Sequence, residues 1–386
     1  MRIAVFEDDN EKFELISDTL KSKDIRENGI IRAATVAEFA LLVKKDFDLC
    51  VIDLRMPTME GVQSSGAGNE ILQMLDFSGK KNVPVIAITA YADEAEKYRE
   101  KFAARGCLIF DVDQKDLWSQ ALDIFILQAK DRNRYDFIIF AAISEERLPF
   151  GRICGLNVRS VTRNGVDHWD CDFRGWSGTI VLLSRMGLVT ASATVARVLA
   201  HYSPKVVAMT GICGGIGDKG ALGQLLVTDV CWEYQSGKWL GEVQKAEPYQ
   251  VSIPHNTRNV MLKLLENTEL LPELESGYAG TNRPSKRVNP SMGVFSSGSA
   301  VIASSKRLRA VEQQHRKVAG IDMEIYGFHR AVELSAQNPQ SFSAKVVVDK
   351  ADQSKGDELH EYGCYVSAKF VMRGIEQILE ASTDSS

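Results

Sequence analysis

The chain has 386 residues and a net charge of −5 at pH 7; 45% of its residues are hydrophobic and 25% are charged. A chain of this length is expected to form two or three domains, and this composition excludes disordered and fibrous proteins. The acidic balance does not favour a nucleic-acid coat.

No apolar run approaches the ~20 residues that span a bilayer, and the first residues enter a strand without a signal peptide. The seven cysteines show no C-x-x-C spacing. This spacing predicts buried, free cysteines in a protein of the reducing cytoplasm, and it does not indicate disulfide bonds or a zinc site. We therefore expect a cytoplasmic protein without a membrane partner.

The first 130 residues alternate short apolar strands with helices. A helix predicted at residues 36–45 begins after the capping box Thr35-x-x-Glu38. This alternation predicts an α/β fold with a five-stranded, doubly wound parallel sheet, like that of flavodoxin. Residues 61–69 read as a surface loop. The predicted strands are residues 2–6, 30–34, 49–53, 83–88 and 107–110.

Acidic and hydroxyl side chains follow three of these strands. Glu7 and Asp8 close the first strand, Asp53 closes the third and Thr89 closes the fourth. A carboxylate at the end of a buried strand is costly unless it faces a solvated cleft or a metal. Three carboxylates at one sheet edge suit an oxygen-preferring cation, so we predict a Mg²⁺ site.

These strand ends resemble the receiver domain of two-component response regulators. The resemblance implies that Asp53 is the phosphoacceptor, that Thr89 is the switch hydroxyl, and that Glu7, Asp8 and Asp53 bind Mg²⁺. It also implies a histidine kinase or phosphotransfer protein as phosphodonor. The lysine that normally follows the fifth strand is absent, and Lys115 is its nearest replacement. Without such a lysine, a purely structural receiver is the alternative.

A second domain is predicted from residue 135 to residue 386. A helix at residues 113–130 closes the first domain, which we assign to residues 1–130, and the polar residues 131–134 form a joint. The second segment mixes many strands and helices, which predicts an α/β domain with a central mixed sheet. It is far longer than the ~60–100 residues of a helix-turn-helix output, so DNA binding is the weaker interpretation.

A glycine cluster, residues 211–220, follows a strand predicted at residues 205–210. It contains a G-x-G-x-x-G pattern, but a dinucleotide fold needs a helix to begin there. The following segment, residues 222–232, reads as a strand, so we reject that fold. Backbone amides of the cluster either approach an anion or a sugar oxygen, or form a turn without a ligand.

Three acidic segments of the second domain again follow apolar runs. Each acid alone is more often a helix cap or a solvated loop residue. In their order, together with the glycine cluster, they resemble the nucleoside phosphorylase and nucleosidase superfamily, in particular the methylthioadenosine/S-adenosylhomocysteine and AMP nucleosidases. The matching pieces are Ala142-Ile-Ser-Glu-Glu146, Ser184-Arg-Met-Gly187, Thr210-Gly-Ile-Cys-Gly-Gly215, Val227-Thr-Asp229-Val, Gly293-Val-Phe-Ser-Ser-Gly298, Asp322-Met-Glu324 and Val348-Asp-Lys-Ala-Asp352.

The resemblance implies an N-glycosidase that needs no cofactor in this domain. Asp349 would be the general acid toward N7 of the purine, carrying a proton that burial would favour. Glu324 would bind ribose hydroxyls with Met323 packed under the sugar, and Glu146 would act as general base on water. The other implied substrate-binding residues are Gly211, Ile212, Cys213, Gly214 and Lys345.

The sequence departs from the superfamily at several positions. Ile212 and Val348 replace serines, and Lys345 stands where the nucleosidases carry arginine. The sequence shows no convincing phosphate-clamping arginine of the phosphorylase type, although Arg185 is a conceivable one. Hydrolysis is therefore favoured over phosphorolysis. The superfamily also implies a homo-oligomer.

A receiver fused to a nucleosidase-like domain resembles the effectors of Detocs-type phage-defence phosphorelays, which implies cleavage of ATP to adenine and ribose triphosphate. Basic residues suit phosphate oxygens, although they also occur as solvated loop charges. The alternatives are a housekeeping enzyme for neutral purine nucleosides and a non-catalytic nucleotide-sensing or DNA-binding regulator. The basic residues considered for the triphosphate are Arg147, Arg283, Lys286 and Arg287.

Overall fold

A computed structural model describes residues 1–45, 47–80, 83–153, 155–241, 243–300, 302, 304–351 and 357–383. The chain divides into two compact units, Met1–Arg132 and Asn133–Ser386. In the described part of the chain, no helix is both long enough and apolar enough to cross a membrane.

The first unit contains a five-stranded parallel sheet in the order β2-β1-β3-β6-β7, which confirms the predicted receiver-like fold. A short antiparallel pair, β4 with β5, lies outside that sheet. The elements of this unit are β1 (Ile3–Phe6), α1 (Asn10–Ser22), β2 (Ile30–Ala33), α2 (Val36–Leu42), β3 (Leu49–Ile52), β4 (Arg55–Met56), β5 (Ser65–Gly66), α3 (Gly68–Phe77), β6 (Val85–Thr89), α4 (Ala92–Ala104), β7 (Leu108–Asp111) and α5 (Lys115–Arg132).

Two apolar layers sandwich this sheet because successive side chains of a strand point to opposite faces. In β1, Ile3 and Val5 pack into one core cluster, whereas Ala4 and Phe6 pack into the other. All four are fully buried. Burial on both faces is what a parallel sheet with helices on both sides requires.

Side-chain hydrogen bonds at Thr35 and Glu38 fix the start of α2. Thr35 Oγ1 accepts the Glu38 N–H at 3.1 Å, and Glu38 Oε2 accepts the Ala34 N–H at 2.6 Å, which is a capping arrangement. The helix it opens, α2, ends at Leu42, before the predicted end at residue 45. The predicted loop 61–69 is not wholly irregular. It contains β5, whose backbone pairs with β4, and the first two residues of α3.

The second unit contains an eleven-stranded mixed sheet in the order β17-β14-β18-β19-β13-β20-β12-β8-β11-β10-β9. The predicted central mixed sheet is therefore confirmed. The elements are β8 (Phe137–Ala141), α6 (Ser144–Arg147), β9 (Asn157–Arg163), β10 (Val166–Phe173), β11 (Trp176–Leu182), α7 (Leu188–His201), β12 (Val206–Met209), β13 (Ile212–Gly215), β14 (Leu225–Glu233), β15 (Gly237–Leu240), β16 (Val243–Ala246), β17 (Val251–Ser252), α8 (His255–Leu265), α9 (Leu270–Glu275), β18 (Ser291–Ser297), α10 (Ser305–Gln314), β19 (Val318–Asp322), α11 (Ile325–Glu333), β20 (Gln340–Asp349) and α12 (His360–Thr383).

The longest strand, β20, joins two parts of this sheet. Its first residues pair with β12, whereas its later residues pair with β13 on one side and β14 on the other. Because β14, β18, β19, β13 and β20 pair in a closed ring, this end of the sheet is a small five-stranded barrel. The glycine cluster leads from β13 into β14, not into a helix, as the rejection of a dinucleotide fold requires.

Candidate active site and phosphoacceptor site

The ends of the barrel strands and the loop after β8 enclose a cavity of about 220 Å³ in the second unit. Its polar lining is mainly acidic, and its apolar lining comes from β13, β19 and β20 and from the loops that follow β8, β11, β18, β19 and β20. The described lining residues are Ala142, Ile143, Glu146, Met186, Ile212, Cys213, Gly214, Ala300, Ile302, Ile321, Asp322, Met323, Glu324, Lys345, Val348, Asp349, Ala351 and His360.

Lys345 is the buried cation of this cavity. Its side chain is 1% exposed, and Nζ lies 3.0 Å from Asp322 Oδ2 and 3.0 Å from Glu324 Oε2. Glu146 Oε1 is 3.9 Å from the same nitrogen. Burial alone would lower the pKa of Lys345, but the three carboxylates outweigh burial and hold that pKa well above its ordinary value. The lysine therefore remains charged and neutralises part of a dense acidic cluster.

Glu146 is held rigidly by the main chain. Its Oε2 accepts the N–H groups of Ala142 and Ile143, and its Oε1 accepts the N–H of Ile212 at 3.0 Å. Burial raises the pKa of Glu146, with Glu324 adding to the rise and Lys345 opposing it. A carboxylate with a raised pKa is a stronger base than an exposed one, and its fixed orientation suits it to proton transfer.

Gly211 allows Glu146 to take this position. A Cβ at Gly211 would lie 2.0 Å from Glu146 Oε1, and the residue has φ +143°. Only glycine combines this backbone conformation with so close an approach. Gly211 therefore makes room for the Glu146 carboxylate and is not itself a described lining residue. The other predicted residues of the glycine cluster, Ile212, Cys213 and Gly214, do line the cavity.

Glu324 and Asp322 are fixed at the end of β19. The Gly187 N–H donates to Glu324 Oε1 at 3.0 Å, which leaves Oε2 for Lys345. The Ser297 hydroxyl donates to Asp322 Oδ1 at 2.6 Å. Met323, which stands between the two acids in the sequence, is half-buried and lines the cavity.

Asp349 lies at the end of β20, half-buried in the cavity wall. The Ala351 N–H donates to its Oδ1 at 2.6 Å. Gly214 is its register partner on β13, and a Cβ there would lie 3.1 Å from Asp349 Oδ1. The next residue, Lys350, donates to the carbonyls of Gly217 and Gly220 and so ties the glycine loop to the strand end.

The cavity therefore brings together Glu146, Glu324 and Asp349, the three predicted catalytic residues, with Met323 and Lys345. Asp352, which was part of the matching motif, lies outside the described residues.

The arginines predicted to meet phosphate are not among the described lining residues. Arg147 is 8% exposed, pairs with Asp167 at 2.9 Å and stacks over the ring of Trp169. Arg287 pairs with Glu275 at 2.7 Å. The geometry therefore gives their predicted role no support, because each guanidinium already has an acidic partner elsewhere.

The remaining basic candidates lie on the surface. Arg283 packs its guanidinium over Tyr278, 5.0 Å from the ring centroid, and both Lys286 and Arg185 are exposed.

Sequence reasoning missed two polar residues of the cavity. Asp322 belonged to the quoted Asp-Met-Glu motif, yet of its two acids only Glu324 received a role. His360 lines the cavity as the first residue of α12, half-buried. No pattern pointed to His360, because its approach depends on how α12 packs against the barrel.

In the first unit, Glu7, Asp8 and Asp53 each offer a carboxylate oxygen, and these oxygens lie within 4.8 Å of one another. Glu7 and Asp53 are 1% and 4% exposed. Burial is the largest cause that raises the pKa of Glu7 to about 7, with Asp53 adding and Lys12 opposing. Three clustered carboxylates are the donor set that Mg²⁺ prefers, so the predicted residues fit this ion.

Thr89 is buried at the end of β6, and its Oγ1 accepts the Tyr91 N–H at 3.2 Å. Lys115 is exposed at the first turn of α5. A different lysine contacts the phosphoacceptor: Lys12 Nζ lies 2.7 Å from Asp53 Oδ2 and 2.8 Å from Glu7 Oε2. Sequence reasoning missed Lys12 because it searched only the segment after the fifth strand.

Comparison with known proteins agrees with both halves of this description. Residues 3–121 match the response regulator receiver domain, and residues 141–369 match the phosphorylase superfamily. The uncharacterized protein y4jS of Sinorhizobium fredii (strain NBRC 101917 / NGR234) is 27% identical over 418 aligned positions, which cover 98% of this chain and 100% of that protein.

A second relative matches over a part of its length. The ATP nucleosidase Cap17 of Escherichia coli (strain KTE188) is 26% identical over 226 residues, which cover 54% of this chain and 44% of that protein. The chain thus spans less than half of this relative.

Two solved structures share the fold of the second unit. A variant of Helicobacter pylori MTAN with 5'-methylthioadenosine in its active site has a TM-score of 0.52 at 15% identity, covering 63% of this chain and 99% of that one. The 5'-methylthioadenosine/S-adenosylhomocysteine nucleosidase of Neisseria meningitidis has a TM-score of 0.50 at 17% identity, covering 64% and 98%. The chain belongs to the phosphorylase superfamily, and joins a response-regulator receiver domain to a phosphorylase-superfamily domain.

Proposed function

We propose that the chain is a phosphorylation-controlled nucleosidase that hydrolyses the N-glycosidic bond of ATP or a related purine nucleotide. The observation that carries the proposal is the convergence of Glu146, Glu324 and Asp349 on one cavity around the buried Lys345. The likeness to the ATP nucleosidase Cap17 supports a purine nucleotide as substrate.

Release of a purine requires a proton on the leaving base, stabilisation of an oxocarbenium-like sugar and a nucleophile at the anomeric carbon. Asp349, half-buried in the wall of the cavity, delivers the proton to N7 of the base. Glu324 accepts hydrogen bonds from the ribose hydroxyls, and Met323 packs under the sugar. Asp349 ends β20 and Glu324 follows β19, the two barrel strands on either side of β13, and this placement supports the division of roles.

Glu146 takes a proton from the attacking water. Its carboxylate is oriented by three main-chain N–H groups, and burial raises its pKa, which makes it a stronger base than an exposed carboxylate. Lys345 places a positive charge beside Asp322 and fixes Glu324, so it is a positioning residue for this reaction.

Water is favoured over phosphate as the nucleophile. A phosphate anion entering this cavity would face the acidic side chains of Glu146, Asp322 and Glu324, in addition to the general acid Asp349. Among the described lining residues the basic groups are Lys345, which is already paired, and His360. Negative charges close to one another in a buried site repel strongly, because little water is present to screen them.

A neutral purine nucleoside is the second candidate substrate. One observation favours it: no arginine is present among the described lining residues, so the expected clamp for a triphosphate is missing from the cavity as described. Of the two basic residues in the described lining, Lys345 is already paired with acids, so His360 is the better candidate to contact a phosphate group of the substrate.

Phosphorylation of Asp53 by a histidine kinase or phosphotransfer protein is the proposed control, with Thr89 as switch residue. Mg²⁺ held by Glu7, Asp8 and Asp53 would offset the negative charge of the phosphoryl group. An antiviral role and assembly into a homo-oligomer complete the proposal. Both rest on the resemblance of the architecture, and unregulated loss of adenine nucleotides would itself harm the host.

The test is product analysis by chromatography after the full chain is mixed with ATP, AMP, adenosine and 5'-methylthioadenosine. Each reaction is run with and without a small-molecule phosphodonor and Mg²⁺. We expect free adenine and ribose triphosphate from ATP, with a rate that depends on the phosphodonor. Asp349→Asn should lower the rate of adenine release at least about 100-fold, because an amide side chain cannot deliver a proton to the leaving base.

Asp172→Asn is the matched control, since Asp172 is an exposed acid on β10 and not a described lining residue. Faster consumption of adenosine or 5'-methylthioadenosine would favour the second candidate. A requirement for inorganic phosphate would contradict hydrolysis, and nucleotides and nucleosides that all remain intact would refute both candidates.

A further inference from the structure

The two buried acids of the phosphoacceptor site use their oxygens in the same way. In Glu7, Oε1 accepts the Asp9 N–H at 3.0 Å, and Oε2 pairs with Lys12 at 2.8 Å. In Asp53, Oδ1 accepts the Leu54 N–H at 2.6 Å, and Oδ2 pairs with Lys12 at 2.7 Å. One oxygen of each acid is thus held by the main chain and the other by the same ammonium group.

Lys12 is itself well fixed. It lies in the first turn of α1, and its N–H donates to the helix-capping Asp9 Oδ1 at 2.8 Å. Its side chain is only 10% exposed. Because the backbone is anchored beside the acidic pair, the ammonium reaches Glu7 and Asp53 without leaving its own helix. The contact is therefore a feature of this segment and not a chance meeting of surface charges.

The oxygens that Lys12 holds are the oxygens that a divalent cation needs. Mg²⁺ binds carboxylate oxygens at about 2.0–2.1 Å in near-octahedral geometry. An ammonium within hydrogen-bond distance of both acids occupies that place and repels a second cation at close range. A cation that binds Glu7 Oε2 and Asp53 Oδ2 therefore competes with Lys12 for these two oxygens.

We propose that Lys12 is the built-in counter-ion of the phosphoacceptor site, which a divalent cation must displace from Glu7 and Asp53 in order to bind. Lys12 thereby sets the Mg²⁺ concentration at which the receiver becomes competent. It takes the cationic place left by the lysine that is absent after β7, whereas Lys115 remains in solvent. This inference is independent of what the second domain cleaves.

The first test is calorimetric titration of Mg²⁺ into the full chain at one fixed, mildly alkaline pH. Lys12→Met should bind Mg²⁺ at least about tenfold more tightly than the natural chain, since no ammonium has to be displaced. Lys115→Met removes the same charge from an exposed position and should change the affinity less than about twofold.

Thermal unfolding gives a second readout. Without divalent ions, Lys12→Met should unfold at a lower temperature, since Glu7 and Asp53 then lack their counter-ion; saturating Mg²⁺ should restore the midpoint. A lysine that only supports the fold would lower the midpoint without raising the affinity for Mg²⁺. Unchanged or weaker Mg²⁺ binding by Lys12→Met, or an equal gain in Lys115→Met, would overturn the proposal.

The natural chain provides a test that needs no variant. An amine-reactive acetylating reagent, followed by mass spectrometry, reports how accessible each lysine is. Saturating Mg²⁺ should increase the labelling of Lys12, because the displaced side chain enters solvent, and should leave Lys115 unchanged. Labelling of Lys12 that is equal with and without Mg²⁺ would show that the ion does not displace it.

Discussion

Replacing Lys345 with methionine tests how much stability the buried charge cluster provides. The side chain is 1% exposed, and its ammonium lies 3.0 Å from each of Asp322 and Glu324. Methionine keeps most of the apolar stem but removes the charge, so the carboxylates face one another without compensation. Removing one partner from a buried ion pair costs about 3–5 kcal/mol.

For a unit of this size, that cost corresponds to a fall of roughly 6–20 °C in the unfolding temperature of the second domain. Calorimetry of the full chain resolves the change. The cost should shrink as the pH falls, because the orphaned acids acquire raised pKa values and take up a proton. Lys345→Arg should recover much of the stability, since it restores the positive charge.

Lys205→Met is the matched control, because Lys205 also lies 3.0 Å from a carboxylate, that of Asp136. That pair is largely in solvent, with Lys205 60% exposed, so its loss should cost no more than about 1 kcal/mol. If Lys345→Met and Lys205→Met lowered stability equally, the burial argument for Lys345 would be refuted.

Two further predictions concern the same domain. Gly211→Ala should slow base release at least about tenfold, because its Cβ would push Glu146 aside; Gly175→Ala, at φ +88° in open space, controls for backbone strain alone and should leave the rate unchanged. His329 is fully buried beside Ser343, and burial lowers its pKa to about 3. Because this folded pKa lies below the ordinary value, stability is complete above about pH 6.5 and falls below it, by about 2 kcal/mol at pH 5. His329→Gln should flatten that slope in denaturant titrations, and an equal slope in both proteins would contradict the assignment.

The receiver fold was accessible from sequence because its strands are short, apolar and followed by polar residues. Ile3 to Phe6 is buried on both faces, and such a run is typical of a parallel strand with helices on either side. The acids that follow then meet at one edge, since the carboxyl ends of parallel strands coincide there. Glu7, Asp8 and Asp53 were placed together on this reasoning alone, and their oxygens do cluster.

The contacts made by long side chains on helices and loops could not be predicted from the sequence in this way. Lys12 and Arg147 carry no periodic signal, and each has several rotatable bonds that only packing can fix. The sequence therefore favoured Lys115 for the receiver, whereas Lys12 makes the contact. It assigned Arg147 to phosphate, whereas Asp167 and Trp169 hold that guanidinium.

The two sites share one electrostatic arrangement, a buried lysine that bridges carboxylates at the ends of strands. In the second domain Lys345 bridges Asp322 and Glu324; in the receiver Lys12 bridges Glu7 and Asp53. The arrangements differ in what can replace the lysine. Lys345 extends from the middle of β20 inside the barrel, whereas Lys12 extends from the first turn of a helix and is 10% exposed. A charge fixed inside a barrel suits a permanent catalytic centre, and a charge that can leave suits a site that must admit an ion.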